Sequence, residues 1–152
     1  MFNLAGGEGI GSYFQDPVQA GTWIHVVGVA SKDTTSIYKN GAFRDCDRYT
    51  GSGPEPPCHN YPPDRWITPK RGSAPVRIGT RDKESFFEGS IREVRVWNRA
   101  LTADEISDLY SGVVPGRGLV AAYLLDEDVA VDSAESHNGV INGGTWVTAS
   151  GT

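Results

Sequence analysis

The chain has 152 residues, 38% of them hydrophobic and 22% charged, with a formal net charge of −5. A domain of that size buries roughly 70% of the surface its unfolded chain exposes, so a core forms without metals or dense cross-linking. The acidic balance and dispersed basic residues argue against nucleic acid or an anionic membrane as partner, and no stretch approaches the roughly 20 apolar residues of a membrane span.

The 19 glycines and nine prolines favour many turns between short elements. Met1–Gly11 lacks the charged-then-apolar pattern of a signal peptide, and one short strand is expected around Ser12–Phe14. Thr22–Ala30, TWIHVVGVA, is apolar on both faces, which predicts a strand covered on both sides and therefore central. His25 within it reads as a core histidine. Ser36–Arg44, SIYKNGAFR, predicts a hairpin, because Asn40-Gly41 supplies the two positive φ angles of a type I′ turn.

Asp45–Ala74 is rich in proline and has no sustained period. Connections of that length are usually functional or disordered. The segment holds the two cysteines, Cys46 and Cys58. They read either as free thiols of a cytosolic protein or as a disulfide. The disulfide is favoured, since the pair flanks a loop with little else to hold it and closure would stabilise by ~3 kcal/mol. It would imply an oxidising compartment, secreted or at the cell surface.

Pro75–Gly79 reads as a short strand. Ser90–Trp97 reads as another, with Val94 and Val96 on one face. A helix follows. Thr102 is a suitable N-cap, Glu105 three residues on completes a capping box, Ile106, Leu109 and Tyr110 form one apolar stripe, and Gly112 is placed to end it. Leu119–Leu125 predicts a buried strand. Val129–Val131 and Val140–Val147 predict two more, separated by turn residues Asp132–Gly139. Together these short segments predict one all-β domain over 1–152, an antiparallel sandwich with a single helix at about 102–111.

"GTWIHVVGVAS…TSIYKNGAF", followed by "PVRIG…FFEGSIREVRVWNRALTADEISDLYSG", resembles the laminin-G-like jelly-roll domains of bacterial surface and secreted proteins, within the concanavalin A-like lectin/glucanase fold. The strand, NRAL turn and capped helix from Ser90 to Gly112 are its most specific part. Gly118–Trp146 resembles the opening strands of such a domain but comes last, as in a circular permutation or a fragment of a tandem array. A shortened sandwich leaves open sheet edges, so homodimerisation or strand exchange is expected.

The resemblance implies a binding module, most simply for a glycan or cell-surface polysaccharide, with protein–protein adhesion or assembly as the alternative. Sugars are recognised by aromatic faces together with planar polar side chains. The 45–74 loop offers Tyr49, Tyr61 and Trp66 with Asp47, Arg48, His59 and Asn60 interleaved, and these seven residues are the candidate ligand site. The bland alternative is that the aromatics pack the loop onto the sandwich. Family members often carry a structural Ca²⁺; Asp126, Asp128 and Asp132, with Glu127 beside them, would supply hard oxygens, or form an ordinary solvated turn. Arg81 and Asp82, beside Phe86 and Phe87, could line a groove or form a surface ion pair.

The fold also hosts glycanases. A retaining glycosidase needs two carboxyl groups ~5–5.5 Å apart, which on a strand come from residues two or four apart. No strand of the sequence shows such alternation, and Glu88 and Glu93 fall on opposite parity. No nucleophile elbow or phosphate-cradling glycine loop is present either. The expectation is a non-catalytic protein.

Overall fold

The computed structural model describes residues 2–3, 9–14, 16–55, 57–66, 73, 75–80, 85–125, 130–134 and 137–145. The chain forms two compact units, the first from residues 1–70 and 99–115, the second from 71–98 and 116–152. The class is the expected one: mostly β, with antiparallel sheets and one short helix.

In the first unit, β1 (Phe2–Asn3) and β2 (Gly9–Ile10) pair antiparallel. Strands β3 (Val26–Ser31), β4 (Thr34–Lys39), β5 (Ala42–Arg48) and β6 (Cys58–Asn60) form a four-stranded sheet in that order. The β4–β5 hairpin turns at Asn40 (φ 52°) and Gly41 (φ 77°), the positive pair that a type I′ turn requires. A side chain on Gly41 would have a second obstacle, because its Cβ would lie 3.0 Å from Cβ of Tyr110. The His25 N–H donates to Oδ1 of Asn40 (2.9 Å) and the Asn40 N–H donates to the His25 carbonyl (2.8 Å), closing the hairpin end.

Helix α1 (Ala103–Tyr110) is capped as its sequence dictates. Thr102 Oγ1 accepts from the Glu105 N–H (3.2 Å) and Glu105 Oε2 accepts from the Thr102 N–H (2.9 Å). The Arg99 guanidinium grips the same carboxylate with two bonds of 2.7 and 2.6 Å, which holds the Glu105 carboxyl down at about 2. Ile106 and Leu109 are buried, whereas Tyr110, half-exposed, lays its ring 5.8 Å from that of His25. Gly112, at φ 96°, follows the last turn. The core of this unit is Thr35, Cys46, Tyr49, Cys58, Leu101, Ile106 and Leu109.

In the second unit β7 (Glu93–Trp97) pairs antiparallel with β8 (Leu119–Leu124), and Ala121 and Ala122 are buried. Asp132, also buried, pins the following turn. Its Oδ1 accepts from the N–H groups of Ala122 (2.8 Å) and Ala134 (3.0 Å), and its Oδ2 from that of His137 (3.2 Å).

Several expectations need correction. Residues 22–25 lie outside the sheet, and among the described residues β3 pairs only with β4, which puts it at the end of the described four-strand order rather than in its centre. Its Val27 and Val29 are half-buried while Val26 is exposed; an apolar residue on both faces did not require a cover on both. Residues 12–14 are not a strand. The stretch read as irregular from Asp45 begins inside β5 and includes β6, because the strand after an Asn-Gly turn continues for as long as its partner does. The described residues 75–79 form no strand, only an isolated bridge from Thr80 to Phe86, and none forms over 130–131 or 140–145. Val129 and 146–147 fall outside the described residues.

Candidate functional site

Strands β5 and β6 run parallel, unlike the other pairs, with Cys46 opposite Cys58, Asp47 opposite His59 and Arg48 opposite Asn60. A disulfide joins Cys46 to Cys58 with Cα atoms 4.6 Å apart, and both cysteines are buried. Side chains alternate along strands. The bridge therefore fixes the register that puts Asp47 beside His59, and Asp45 shares the face of Asp47. The bridge fits an oxidising, extracellular or cell-surface setting.

Over this face lies an open depression of about 390 Å³, lined by Tyr13, Phe14, Asp16, Arg44, Asp45, Asp47, His59 and Tyr61. Residues 12–14 are tied to this sheet through Ser12, whose hydroxyl donates to the Thr35 carbonyl (3.0 Å), and through the Tyr13 N–H, which donates to Asp45 Oδ2 (3.2 Å). Tyr13 and Tyr61 are 62% and 41% exposed, so both lie open to solvent, whereas Tyr49 (5%) and Asp47 (6%) are buried. Tyr49 contacts two rings, stacking on Tyr61 at 5.4 Å and meeting Trp66 at 5.5 Å. Tyr61 is thus a partly exposed ring backed by the buried ring of Tyr49.

Arg48 and Asn60 face away from the depression and staple the loop between the cysteines. Arg48 donates to Asn60 Oδ1 (3.1 Å) and the Pro54 carbonyl (3.3 Å). Asn60 donates through its side-chain amide to the Gly53 carbonyl (3.0 Å) and through its backbone N–H to Glu55 Oε1 (2.6 Å). Of the seven residues expected to meet a ligand, Asp47, His59 and Tyr61 line the depression; Tyr49 stacks on Tyr61, and Trp66 packs on Tyr49; Arg48 and Asn60 hold the loop.

The depression is electrostatically uneven. Asp16 pairs with Arg44 and lies 3.6 Å from Lys39 Nζ; the Arg44 hydrogen bond holds its carboxyl below the ordinary value. The Lys39 ammonium also sits 5.1 Å from the Phe14 ring centroid. His59 Nε2 is 3.8 Å from Asp45 Oδ1. Burial, reinforced by the charge of Asp45, pushes the Asp47 carboxyl up. Asp47 in turn raises the Tyr61 hydroxyl, with burial second.

Sequence reasoning missed Tyr13, Phe14, Asp16, Arg44 and Asp45. It also missed the parity of Asp45 and Asp47, which stand two apart on β5 and correct the expectation that no strand carries alternating acids. The signal was present: a hairpin whose first strand runs from Thr34 to Lys39 implies a second strand that reaches Arg48.

Asp126, Glu127 and Asp128, offered as calcium ligands, lie outside the described residues, as do Arg81 and Asp82. Asp132 is a turn anchor, and a cation there would compete with three N–H donors. Among the described residues no group of three or more His, Cys, Asp or Glu is arranged to hold a metal, and no helix is long and apolar enough to cross a membrane.

A laminin G family model, described as the concanavalin A-like lectin/glucanases superfamily, matches residues 1–107. The chain belongs to that superfamily. Its laminin-G-like match includes all of β1 to β7 and the disulfide-bonded loop, and it takes in the first twenty residues, where the sequence pattern offered only a short strand around Ser12–Phe14. Gly118–Trp146, with its resemblance to opening strands, lies beyond the matched residues. The superfamily name covers both lectins and glucanases. No curated protein matches the chain. A crystal structure of residues 221–444 of an S-layer domain-containing protein from Clostridium thermocellum ATCC 27405 is similar at 27% identity, with a TM-score of 0.39, over 64% of this chain. This chain spans 43% of that one.

Proposed function

We propose that this laminin-G-like chain is a non-catalytic glycan-binding module, and that its ligand occupies the depression over β5 and β6. The observation that carries the reading is the pairing of open aromatic faces, Tyr13 and Tyr61, with a row of hydrogen-bonding groups, Asp45, Asp47 and His59, in one concavity. Ring faces take the C–H surface of a sugar, while the polar row takes its hydroxyls. Concave sites with a few placed polar groups are the usual form of a small-ligand site. The disulfide and the Tyr49–Trp66 packing behind Tyr61 hold the site ready, which lowers the ordering cost of binding.

A glycan array probed with the purified, oxidised protein tests this. Binding should occur, and Tyr61→Ala should abolish it while leaving the melting temperature within a few degrees of wild type. An array without binding refutes the reading. Release of reducing ends from a bound glycan would refute the non-catalytic part, with Asp45 and Asp47 as the pair to examine.

A second reading, self-assembly, rests on β3. It is the edge of its sheet, and among the described residues nothing pairs with its outer side. Such edges accept strands from other chains. Size-exclusion chromatography showing a monomer at every concentration removes that reading.

A further inference from the structure

We propose that the depression prefers glycans bearing a free amino group and turns away acidic ones. This rests on the glycan-binding reading and names the ligand class for the same site.

The first argument is an inventory of donors and acceptors. Ionised carboxylates accept and cannot donate. Three of them, Asp16, Asp45 and Asp47, line the depression. The lining guanidinium, Arg44, is engaged by Asp16, which also draws in Lys39. The nearby backbone donor, the N–H of Tyr13, is already given to Asp45. Asp45 Oδ2 holds the Tyr13 N–H and Asp47 accepts from the Tyr49 hydroxyl, but a carboxylate has about four lone-pair sites, so both keep acceptor capacity toward a ligand, beside the His59 ring and the Tyr13 and Tyr61 hydroxyls. A ligand rich in donors suits that excess of acceptors. Sugar hydroxyls do this; an ammonium does it with charge, and charge-assisted bonds are roughly twice as strong as neutral ones.

The second argument is burial. Asp47 is 6% exposed yet lines the depression, and Asp45 stands two residues away on the same strand face. Two like charges at a partly desolvated site repel each other, and an incoming cation relieves both that repulsion and the desolvation. The raised carboxyl of Asp47 reports the same strain. An anionic sugar would meet the opposite field.

The third argument is the rim. Tyr13, Phe14 and Tyr61 surround the acids, and aromatic faces attract ammonium groups as well as C–H surfaces. Lys39 already shows this at Phe14, 5.1 Å from the ring centroid. Aromatic faces with acids beneath them make a site for a polyhydroxylated cation rather than for a bare metal ion.

The test is calorimetric titration of the intact, disulfide-bonded protein at about pH 6, where a sugar amine is protonated. The probes are matched-length oligomers of glucosamine, N-acetylglucosamine and galacturonic acid. Glucosamine oligomers should bind about tenfold tighter than N-acetylglucosamine oligomers, the worth of one charge-assisted bond, and galacturonic acid oligomers should bind weakest. Asp47→Asn should bring the first two affinities together. Asp45→Asn, at a less buried position, serves the same purpose if Asp47→Asn does not fold. Equal or tighter binding of the N-acetylated or acidic oligomers overturns the amine preference and leaves glycan binding standing. Equal preference for glucosamine in both folded variants overturns the role of the carboxylates. No binding of any oligomer, together with an empty glycan array, overturns both the preference and the reading beneath it.

Discussion

Replacing Cys46 and Cys58 together by alanine removes the covalent link between β5 and β6. The two residues are 12 apart in sequence, and tying a loop of that length restricts the unfolded chain by ~3 kcal/mol in the chain-entropy model. The native side offers little to replace it. β6 has three residues in a parallel ladder, and each net hydrogen bond contributes about 1 kcal/mol. For a chain of this size 1 kcal/mol shifts the melting temperature by about 2–4 °C, so the double variant should melt roughly 6–12 °C lower. Alanine leaves the buried site apolar, which avoids adding an unpaired polar group. The assay is a thermal melt of both proteins in the same buffer without reductant, followed by glycan titration of each below its transition. Because β6 carries His59 and leads into Tyr61, ligand affinity should fall as well. A shift of less than about 2 °C would refute the loop-entropy argument. An unchanged affinity would show that the bridge does not position the site.

Gly41→Ala should cost about 1–3 kcal/mol in urea denaturation, because Gly41 sits at φ 77° and its added Cβ would press on Tyr110 at 3.0 Å; a neutral result would mean the turn relaxes freely. Tyr49→Ala should cost about 3–5 kcal/mol, as the ring is buried against Tyr61 and Trp66, whereas Tyr61→Ala should cost about 1 kcal/mol. Equal losses would show that the two rings do not divide support from contact. The Glu105 carboxyl falls from 4.5 to about 2 on folding, chiefly through Arg99 and then through the Thr102 N–H. Its folded value lies below its unfolded one, so its contribution is complete above about pH 4.5 and is lost as pH falls through about 2. Stability curves of wild type and Glu105→Gln should therefore differ at neutral pH and converge on acidification; a constant gap down to pH 2 would refute the assignment.

The depression was only partly legible beforehand. Asp47, His59 and Tyr61 were singled out, but as members of a loop, when two of them stand on paired strands. Tyr49 was assigned to a ligand because it is aromatic and its neighbours are polar; whether such a ring faces solvent or core depends on what covers it, here Tyr61 and Trp66. Tyr13 and Phe14 could not be attached to the site by any local pattern, since Tyr13 meets Asp45 across 32 residues of chain.

What the sequence determined alone is what short-range sterics and hydrogen bonding decide: the Asn40-Gly41 turn, the Thr102–Glu105 cap, the apolar stripe of α1 and the β8 run from Leu119. Each depends on residues within one or two turns of each other, so identity and spacing suffice. The tertiary structure alone decided that β3 ends the four-strand order among the described residues, that β6 runs parallel to β5, and that the Tyr13 N–H meets Asp45. Those outcomes turn on which distant surfaces bury each other, a competition among many near-equal pairings that no single stretch of residues encodes.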